Sequence, residues 1–237
     1  MRLAILITNT DHSDFAGARP DDAVKFSRFV ALARPDWSCT SFDLPRGDAL
    51  PKLEDFDGFI IGGSPAFLSD DRPWIAPLLE FIRAAHADRV PLLGTCFGHQ
   101  AIAAALGGRV GRNGEGWGHG LLELQMFQVP PWMKGAPKVR RLYGSHAEQV
   151  LDLPDNATVW CASEGCPIAG FFVENSIFTT QHHPEISADF MADLVDHLAD
   201  YMGAEVTEKA RASLIDEADN AAFAEAAAQF FEQAIRA

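Results

Sequence analysis

Apolar residues occur along this chain in short runs that are separated by polar turn residues. Leu3 to Ile7 is a continuous apolar run, which is typical of a β-strand covered on both faces. Residues 57–63 and 90–94 repeat this form, and each run reaches glycine. The three runs predict buried strands of one parallel sheet.

Segments with helical spacing lie between these strands. Asp21 and Asp22 precede apolar residues at helical intervals, and acidic residues stabilise the positive end of a helix. Residues 73–87 and 99–106 also have helical spacing. The alternation of strands and helices predicts an α/β fold, with a mostly parallel central sheet and helices on both faces.

The pattern changes after Gly107, because seven glycines lie between residues 107 and 120. This density predicts a mobile or tightly turned loop from Gly111 to Gly120. Short runs rich in β-branched and aromatic residues follow over residues 121–181 and predict strands and hairpins. Ser187 is the expected cap of a later helix, which Gly203 ends.

The C-terminal segment is rich in alanine, and its larger apolar residues lie near helical spacing: Phe223, Phe230, Phe231 and Ile235. One or two amphipathic helices are expected. Two interpretations stay open: the helices cover the domain, which the pattern favours, or they contact another chain. The domains expected are residues 1–202 and a helical extension, residues 203–237, packed on them.

Composition and charge narrow the classes of partner. The 237 residues include 48% hydrophobic and 22% charged residues, which is typical of a folded globular protein. The 19 Lys and Arg against 33 Asp and Glu give a net charge of -14, which repels phosphate backbones and anionic lipids. We therefore expect no nucleic-acid partner and no membrane association.

The expected location is the cytoplasm. The first residues read as a buried strand and have no small-residue cleavage site, so no signal peptide is predicted. The four cysteines are irregularly spaced and do not resemble a disulfide framework. No apolar run approaches the roughly 20 residues that a membrane-spanning helix needs.

One cysteine has a reactive context. Cys96 lies between Gly94 and Gly98, after a predicted strand and before a predicted helix. This arrangement predicts a nucleophile elbow, in which the flanking glycines let the chain bend sharply and the helix N-terminus favours a thiolate. A lone cysteine is otherwise most often a buried structural residue.

A matching base occurs far along the chain. His183 and Glu185 are two residues apart after a predicted strand, so on an ideal strand both side chains face the same side. The imidazole can accept the thiol proton, and the carboxylate can hold the other ring nitrogen. An isolated His and Glu at a strand end are otherwise usually solvent-exposed and inert.

Together these motifs resemble the class I glutamine amidotransferase family. The resemblance rests on Gly94-x-Cys96-x-Gly98-x-Gln100 followed by His183-Pro184-Glu185, and it extends from Leu3 to about Met202. Residues 60–65 and 143–146 support it. It is closest to stand-alone proteins that resemble the glutaminase half of GMP synthase and to γ-glutamyl peptide hydrolases. The resemblance implies a flavodoxin-like α/β fold of the glutamine amidotransferase type.

The resemblance also implies roles for five residues. Cys96 is the expected nucleophile, His183 the base and then the acid, and Glu185 the residue that orients the imidazole. The backbone of Gly63 and of Phe97 would line the oxyanion hole. The implied reaction releases ammonia or an amine from a γ-glutamyl group and leaves a glutamyl thioester, which water then hydrolyses to glutamate.

Contacts with the substrate are implied at three further residues. Gln100, Ser145 and His146 would hold the α-amino and α-carboxyl ends of the glutamyl group, although Ser145 is equally explained as an ordinary hydroxyl at a strand end. His182 departs from the family pattern, which often has an aromatic residue or glycine there. The departure changes the side chain that is expected to line the site beside the catalytic base, and it leaves the triad residues unchanged.

No metal and no cofactor are expected. Cys161 and Cys166 are separated by four residues without a second pair nearby, and the glycine-rich segment lacks the Gly-Lys-Ser/Thr of a phosphate loop. In the predicted loop, Arg112, Trp117 and His119 are candidates for contact with the leaving group. The alternative is that Trp117 packs against the loop and Arg112 is solvated.

Two functions are compatible with the sequence. The first is an enzyme that alone hydrolyses glutamine or a γ-glutamyl compound, which is a small-molecule substrate. The second is a glutaminase or binding subunit that is active only with a separate synthase. Association with a second copy of the chain also stays open.

Overall fold

The computed structural model describes residues 1–114 and 116–234. The strands in these ranges are β1 (Arg2–Ile7), β2 (Ser38–Asp43), β3 (Gly58–Ile61), β4 (Leu92–Thr95), β5 (Arg109–Arg112), β6 (Gly118–Glu123), β7 (Gln125–Met126), β8 (Arg141–His146), β9 (Glu148–Asp152), β10 (Ala157–Ser163), β11 (Cys166–Val173) and β12 (Ile177–Thr180). The α-helices are α1 (Asp14–Gly17), α2 (Asp22–Ala33), α3 (Ile75–Ala87), α4 (Phe97–Ala105), α5 (Ala188–His197), α6 (Ala199–Met202), α7 (Ala204–Ser213) and α8 (Asn220–Ala234).

The central sheet has eight strands in the order β2-β1-β3-β4-β12-β11-β10-β7. The first five of these are mutually parallel, and the last three continue the sheet in antiparallel pairs. The predicted α/β fold with a mostly parallel sheet is therefore confirmed. The carboxyl ends of β3, β4 and β12 meet at one edge of the sheet.

The strand β1 shows how the sheet separates two hydrophobic cores. Leu3 and Ile5 point into the core that contains α2 and α8, whereas Ala4 and Leu6 point into the core that contains α3 and α4. All four side chains are fully buried. This alternation follows from the twofold side-chain period of a strand, and it explains why the run is apolar at every position.

The prediction of a loop from Gly111 to Gly120 was wrong at both ends. Gly111 belongs to β5, which pairs with β9, and residues 118–120 belong to β6, which pairs with β8. The glycines there permit close packing: a Cβ on Gly118 would lie 2.5 Å from Nε2 of His146. The connecting segment is residues 113–117, of which residue 115 lies outside the described residues.

Helix caps agree with the sequence pattern. The Asp21 carboxylate accepts a hydrogen bond from the backbone N–H of Val24 at 2.9 Å, and the Ser187 hydroxyl accepts one from Phe190 at 3.3 Å. The helix after Ser187 is interrupted at Leu198, and Gly203 ends its second part. Among the described helices, none is long and apolar enough to cross a lipid bilayer.

The last helix, α8, completes the core on the α2 side of the sheet. Phe223, Phe230 and Phe231 are buried against residues of α2 and the sheet. On the rim, the Arg34 guanidinium pairs with Glu225 at 2.8 Å and Glu232 at 2.6 Å. Ile235, which was predicted to belong to this helix, lies outside the described residues. The division of the chain at residue 202 stays a prediction.

Candidate active site

Cys96 occupies a sharp turn between β4 and α4. Its backbone has φ 47° and ψ -105°, a conformation that a residue with a side chain adopts only under strain, of about 1–3 kcal/mol. A Cβ on Gly98 would overlap the carbonyl oxygen of Ile61, and one on Gly94 would lie 2.8 Å from the backbone of Gly98. The two flanking glycines are therefore required by the tight packing of the turn.

The backbone beside Cys96 is anchored by hydrogen bonds. The Gly98 N–H donates to the Gly62 carbonyl at 3.0 Å. The buried Thr8 hydroxyl lies 3.0 Å from the carbonyl oxygens of both Gly62 and Gly63. These bonds fix the peptide groups of residues 62–63, one of the two segments predicted to form the oxyanion hole. Thr8 was not predicted, because a single threonine after a strand gives no specific signal.

His183 and Glu185 form the predicted pair. Nδ1 of His183 lies 2.7 Å from Oε1 of Glu185, and the Glu185 side chain is 5% exposed. The expectation that strand alternation brings them together was wrong, because β12 ends at Thr180 and both residues lie in the turn after it. A backbone bond from His183 N–H to the Tyr143 carbonyl, 2.8 Å, holds this turn.

His183 also contacts Cys96, so the two motifs meet. Burial lowers the pKa of His183, but the negative charges of Cys96 and Glu185 and the hydrogen bonds to both outweigh this effect and hold its pKa well above 6.5. Since Nδ1 faces Glu185, Nε2 is the nitrogen available to the sulfur. The structure thus brings Cys96, His183 and Glu185 together at the carboxyl edge of the sheet.

Gly63 borders both reactive side chains. A Cβ at this position would lie 2.6 Å from Cε1 of His183 and 3.4 Å from Cβ of Cys96. Phe97 follows Cys96 directly as the first residue of α4, and its ring is buried against Trp74 at a centroid distance of 5.4 Å. The predicted oxyanion segments therefore flank the thiol.

Gly63→Ala should lower turnover and leave the fold nearly intact. Its backbone φ is not in the left-handed region, so alanine is tolerated there, and the added methyl meets mainly the His183 ring. Displacing a catalytic group by about 1 Å can cost about 10²-fold, which is the loss we expect in kcat. Gly114→Ala is the matched control because a Cβ there has no neighbour within 4 Å. Equal rates for both variants would contradict the assignment of Gly63.

The three predicted substrate contacts have different surroundings. Nε2 of Gln100 donates to the Glu148 carbonyl at 2.8 Å and to Oε1 of Gln181 at 3.2 Å, so both its N–H groups are engaged inside the protein. Only Oε1 of Gln100 is left to face a ligand, which suits an ammonium group and not a carboxylate. The Ser145 hydroxyl bonds to Nδ1 of His119 at 3.1 Å, and the ring of His146 is buried.

Several other histidines surround this region and are held neutral. Burial lowers the pKa of His99 to about 3, and it lowers that of His119 to about 4 and that of His146 to about 4. Burial, together with repulsion by neighbouring histidines, also lowers the pKa of His182. The ring of His182, the residue that departs from the family pattern, lies between two hydroxyl groups. Its Nδ1 is 3.3 Å from the hydroxyl of Thr180, and its Nε2 is 3.2 Å from that of Ser163.

These histidines should make the fold sensitive to mild acid. The unfolded chain binds protons below about pH 6.5, whereas the folded histidines stay neutral to about pH 4, so the free energy of unfolding decreases as the pH falls through this window. His183 does not oppose this loss, because below about pH 6.5 it is protonated in both states.

We expect His119→Gln to reduce the loss of stability between about pH 7 and pH 5 by about 2 kcal/mol. Urea unfolding at the two pH values measures the difference. His12→Gln, a substitution at an exposed histidine, is the matched control. The same pH dependence in wild type and His119→Gln would contradict the neutral burial of His119.

The candidate leaving-group residues lie in distinct environments. Arg112 is exposed, its guanidinium carbon lies 5.1 Å from the centroid of the Phe67 ring, and its charge acts on Glu148. Trp117 packs edge-on to Tyr201 at 5.9 Å. His119 is buried on β6 and bonded to Ser145, which leaves Arg112 as the exposed polar group of the three.

No cluster of three or more His, Cys, Asp or Glu side chains with the arrangement of a metal site occurs within residues 1–114 and 116–234. All four cysteines are free thiols in the structure. Cys161 and Cys166 are buried in the core on the α2 side of the sheet, and desolvation raises the pKa of both. Their reactivity is therefore suppressed relative to an exposed thiol.

Comparisons with known proteins identify the family of this chain. The family model described as glutamine amidotransferase class-I matches residues 35–192. Gamma-glutamyl peptidase 3 of Arabidopsis thaliana is 31% identical over 170 residues, which cover 68% of each chain. A subunit of the glutamine-hydrolyzing GMP synthase of Pyrococcus abyssi is 41% identical over 99 residues, or 41% of this chain and 52% of that protein. The crystal structure of a glutamine amidotransferase from Thermotoga maritima has 21% identity, covers 98% of both chains and superposes with a TM-score of 0.75.

Proposed function

Because the chain belongs to the class I glutamine amidotransferase family, we propose that it hydrolyses the γ-amide of glutamine or of a γ-glutamyl compound through a glutamyl thioester on Cys96. The observation that carries the proposal is the contact of the strained Cys96 elbow with the hydrogen-bonded pair of His183 and Glu185. These three side chains supply a nucleophile, an acid–base group and its orienting carboxylate.

The first half of the reaction forms the thioester. The Cys96 thiolate attacks the γ-carbonyl carbon, and the backbone N–H groups of Gly63 and Phe97 stabilise the resulting oxyanion. The C–N bond then breaks as His183 transfers its proton to the departing nitrogen, which leaves as ammonia or an amine. A raised pKa keeps His183 protonated for this transfer. Glu185 holds Nδ1, so that Nε2 faces the reacting atoms.

The second half releases glutamate. Water loses a proton to the now neutral His183 and attacks the thioester carbonyl carbon, and the C–S bond breaks to restore the thiolate. At the other end of the substrate, Oε1 of Gln100 is suited to accept from the α-ammonium group. Ser145 and His146 stay as proposed contacts for the remaining polar end. No metal or cofactor takes part in the proposed reaction.

Relatives named as a subunit of GMP synthase favour a second function. The relative from Pyrococcus abyssi is named as a subunit of GMP synthase. Delivery of ammonia to a separate synthase is therefore the second candidate function for this chain. In that case hydrolysis would depend on the partner.

We place the reaction in the cytoplasm on the basis of the free cysteines alone.

The purified chain, incubated separately with glutamine and with a γ-glutamyl dipeptide, tests which function applies. Glutamate release from either substrate, lost in Cys96→Ala and retained in Cys39→Ala, supports the stand-alone hydrolase. Release that occurs only after a synthase is added supports the partner-dependent glutaminase. No release under any condition would contradict both.

We expect the chain alone to cleave a γ-glutamyl dipeptide at least as well as glutamine. Arg112 is an exposed cation whose charge acts on Glu148, the residue whose carbonyl accepts from Gln100. It can pair with the carboxylate of a leaving amino acid or peptide, which glutamine lacks on its leaving side. Arg112→Ala should therefore raise KM for the dipeptide by about tenfold and change KM for glutamine much less.

Steady-state kinetics with both substrates measure this difference. Arg89→Ala is the matched control, because Arg89 is an exposed arginine before β4, at the opposite edge of the sheet. An equal rise of KM for both substrates in Arg112→Ala would contradict a role specific to the leaving group.

A further inference from the structure

A buried chain of amide groups leads to the sulfur of Cys96. Nε2 of Gln181 lies 3.7 Å from Sγ of Cys96. Oε1 of Gln181 accepts from Nε2 of Gln100 at 3.2 Å, and the same nitrogen of Gln100 donates to the Glu148 carbonyl at 2.8 Å. The Gln181 side chain is fully buried.

The Glu148 carbonyl fixes the direction of every bond in this chain. A backbone carbonyl only accepts, so the NH₂ end of Gln100 must face it. The second N–H of that group points to Gln181, which must present its oxygen there. The NH₂ end of Gln181 is then the end that faces Cys96. Reversing either amide would bring two acceptors or two donors together.

The backbone holds Gln181 in this position. Its N–H donates to the Ala169 carbonyl of β11 at 2.7 Å, and the preceding carbonyl, that of Thr180, accepts from the Cys96 N–H at 2.9 Å. The donor and the sulfur are thus attached to adjacent strand ends of one sheet. Little rearrangement is needed to keep them in contact during a reaction.

An amide N–H bonds more strongly to an anionic sulfur than to a neutral thiol or a thioester. The contact is shielded from water, which strengthens it further. A donor at this place favours the thiolate both as the attacking group and as the leaving group when the thioester breaks. It transfers no proton, in contrast to His183.

We propose that Gln181 is a further catalytic residue, which stabilises the Cys96 thiolate through its side-chain N–H and is itself oriented by Gln100. The catalytic part of this proposal rests on the proposed function. The sequence alone carries little sign of the role, because a neutral amide next to two histidines has no acid–base or nucleophilic signature.

The test is the rate at which iodoacetamide alkylates Cys96, followed by peptide mass spectrometry so that the other three cysteines do not contribute. In Gln181→Met, which keeps the side-chain length, we expect alkylation to be about tenfold slower at about pH 6 and unchanged at about pH 10, where thiolate forms without help. The matched control is Gln149→Met, a buried glutamine on β9, which should follow wild type at both pH values.

Gln100→Met provides a second variant if Gln181→Met fails to fold. It removes the group that orients Gln181 and should slow alkylation at about pH 6 in the same direction by a smaller factor, about threefold. Alkylation of Gln181→Met at the wild-type rate at both pH values would overturn the proposal, and so would equal slowing at both. If only Gln100→Met folds, either of these two results in that variant would overturn it.

The alkylation measurement uses no glutamyl substrate. A chain that fails to hydrolyse glutamine and γ-glutamyl dipeptides would therefore refute the proposed function, while the contact between Gln181 and the thiolate could still be supported. Conversely, an active wild-type enzyme with an unchanged alkylation profile in Gln181→Met would refute only the role of Gln181.

Discussion

Cys96→Ala should lower kcat for a γ-glutamyl substrate by at least about 10⁴-fold, because no other group can form the thioester. The loss should occur without unfolding. Cys96 has a positive φ of 47°, so its replacement by alanine keeps the same backbone strain and removes only the sulfur. Initial rates of glutamate release, with circular dichroism of both proteins, measure the effect.

A glutamine-analogue electrophile provides the complementary result. It should label Cys96 and spare Cys39, Cys161 and Cys166, because burial raises the pKa of these three thiols and none of them lies beside His183. Cys39→Ala should keep the wild-type rate. Equal labelling of all four cysteines, or an unchanged rate in Cys96→Ala, would contradict the role of Cys96.

Glu185→Gln should lower kcat by about 10²- to 10³-fold, the second largest effect we expect. The equivalent change in a serine triad costs about 10⁴-fold, but a cysteine is intrinsically more nucleophilic and depends less on the orienting carboxylate. The substitution keeps the shape of the side chain and removes the charge that helps to raise the pKa of His183. The pKa of His183, followed by NMR, should therefore fall.

Glu174→Gln is the matched control, since Glu174 is an exposed glutamate at the far end of β11. It should change neither kcat nor the titration of His183. A rate within about twofold of wild type in Glu185→Gln would show that Glu185 is not the third member of the triad.

The parallel part of the fold was predictable because local patterns and tertiary structure agree there. The apolar run of β1 is buried on both faces, and the caps at Asp21 and Ser187 start the helices that follow them. The elbow was predictable for the same reason. Gly94 packs against Gly98 within the turn, whereas Gly98 packs against the carbonyl of Ile61 on β3, so the glycines of this short motif serve both local and long-range packing.

The glycine-rich segment was misjudged because sequence alone does not distinguish glycine needed for flexibility from glycine needed for close packing. Gly111 lies against Leu151, and Gly120 lies against Ala210 with a φ of +102°. Both contacts involve residues distant along the chain. Three of the seven glycines, Gly111, Gly118 and Gly120, therefore belong to two tightly packed strands, β5 and β6, and the other four lie outside these strands.

The proximity of His183 and Glu185 was predictable from the sequence, whereas the geometry that brings them together was not. His183 and Glu185 meet in a turn, held by the Tyr143 carbonyl, and not along a strand. Thr8 and Gln181 were not predicted, because their positions depend on hydrogen bonds that form only when the sheet assembles. Thr8 bonds to the Gly63 carbonyl, and Gln181 bonds to the sulfur of Cys96. Neither residue type is specific to catalysis.

The most direct test of the central claim is mass spectrometry of the protein after acid quenching during turnover of a γ-glutamyl dipeptide. We predict a glutamyl adduct on the peptide that contains Cys96, because the thioester must accumulate whenever its hydrolysis is slower than its formation. Glu185→Gln, which slows both steps, should keep the adduct detectable for longer. Continuing glutamate release in Cys96→Ala, or a glutamyl adduct on any residue other than Cys96, would contradict the account.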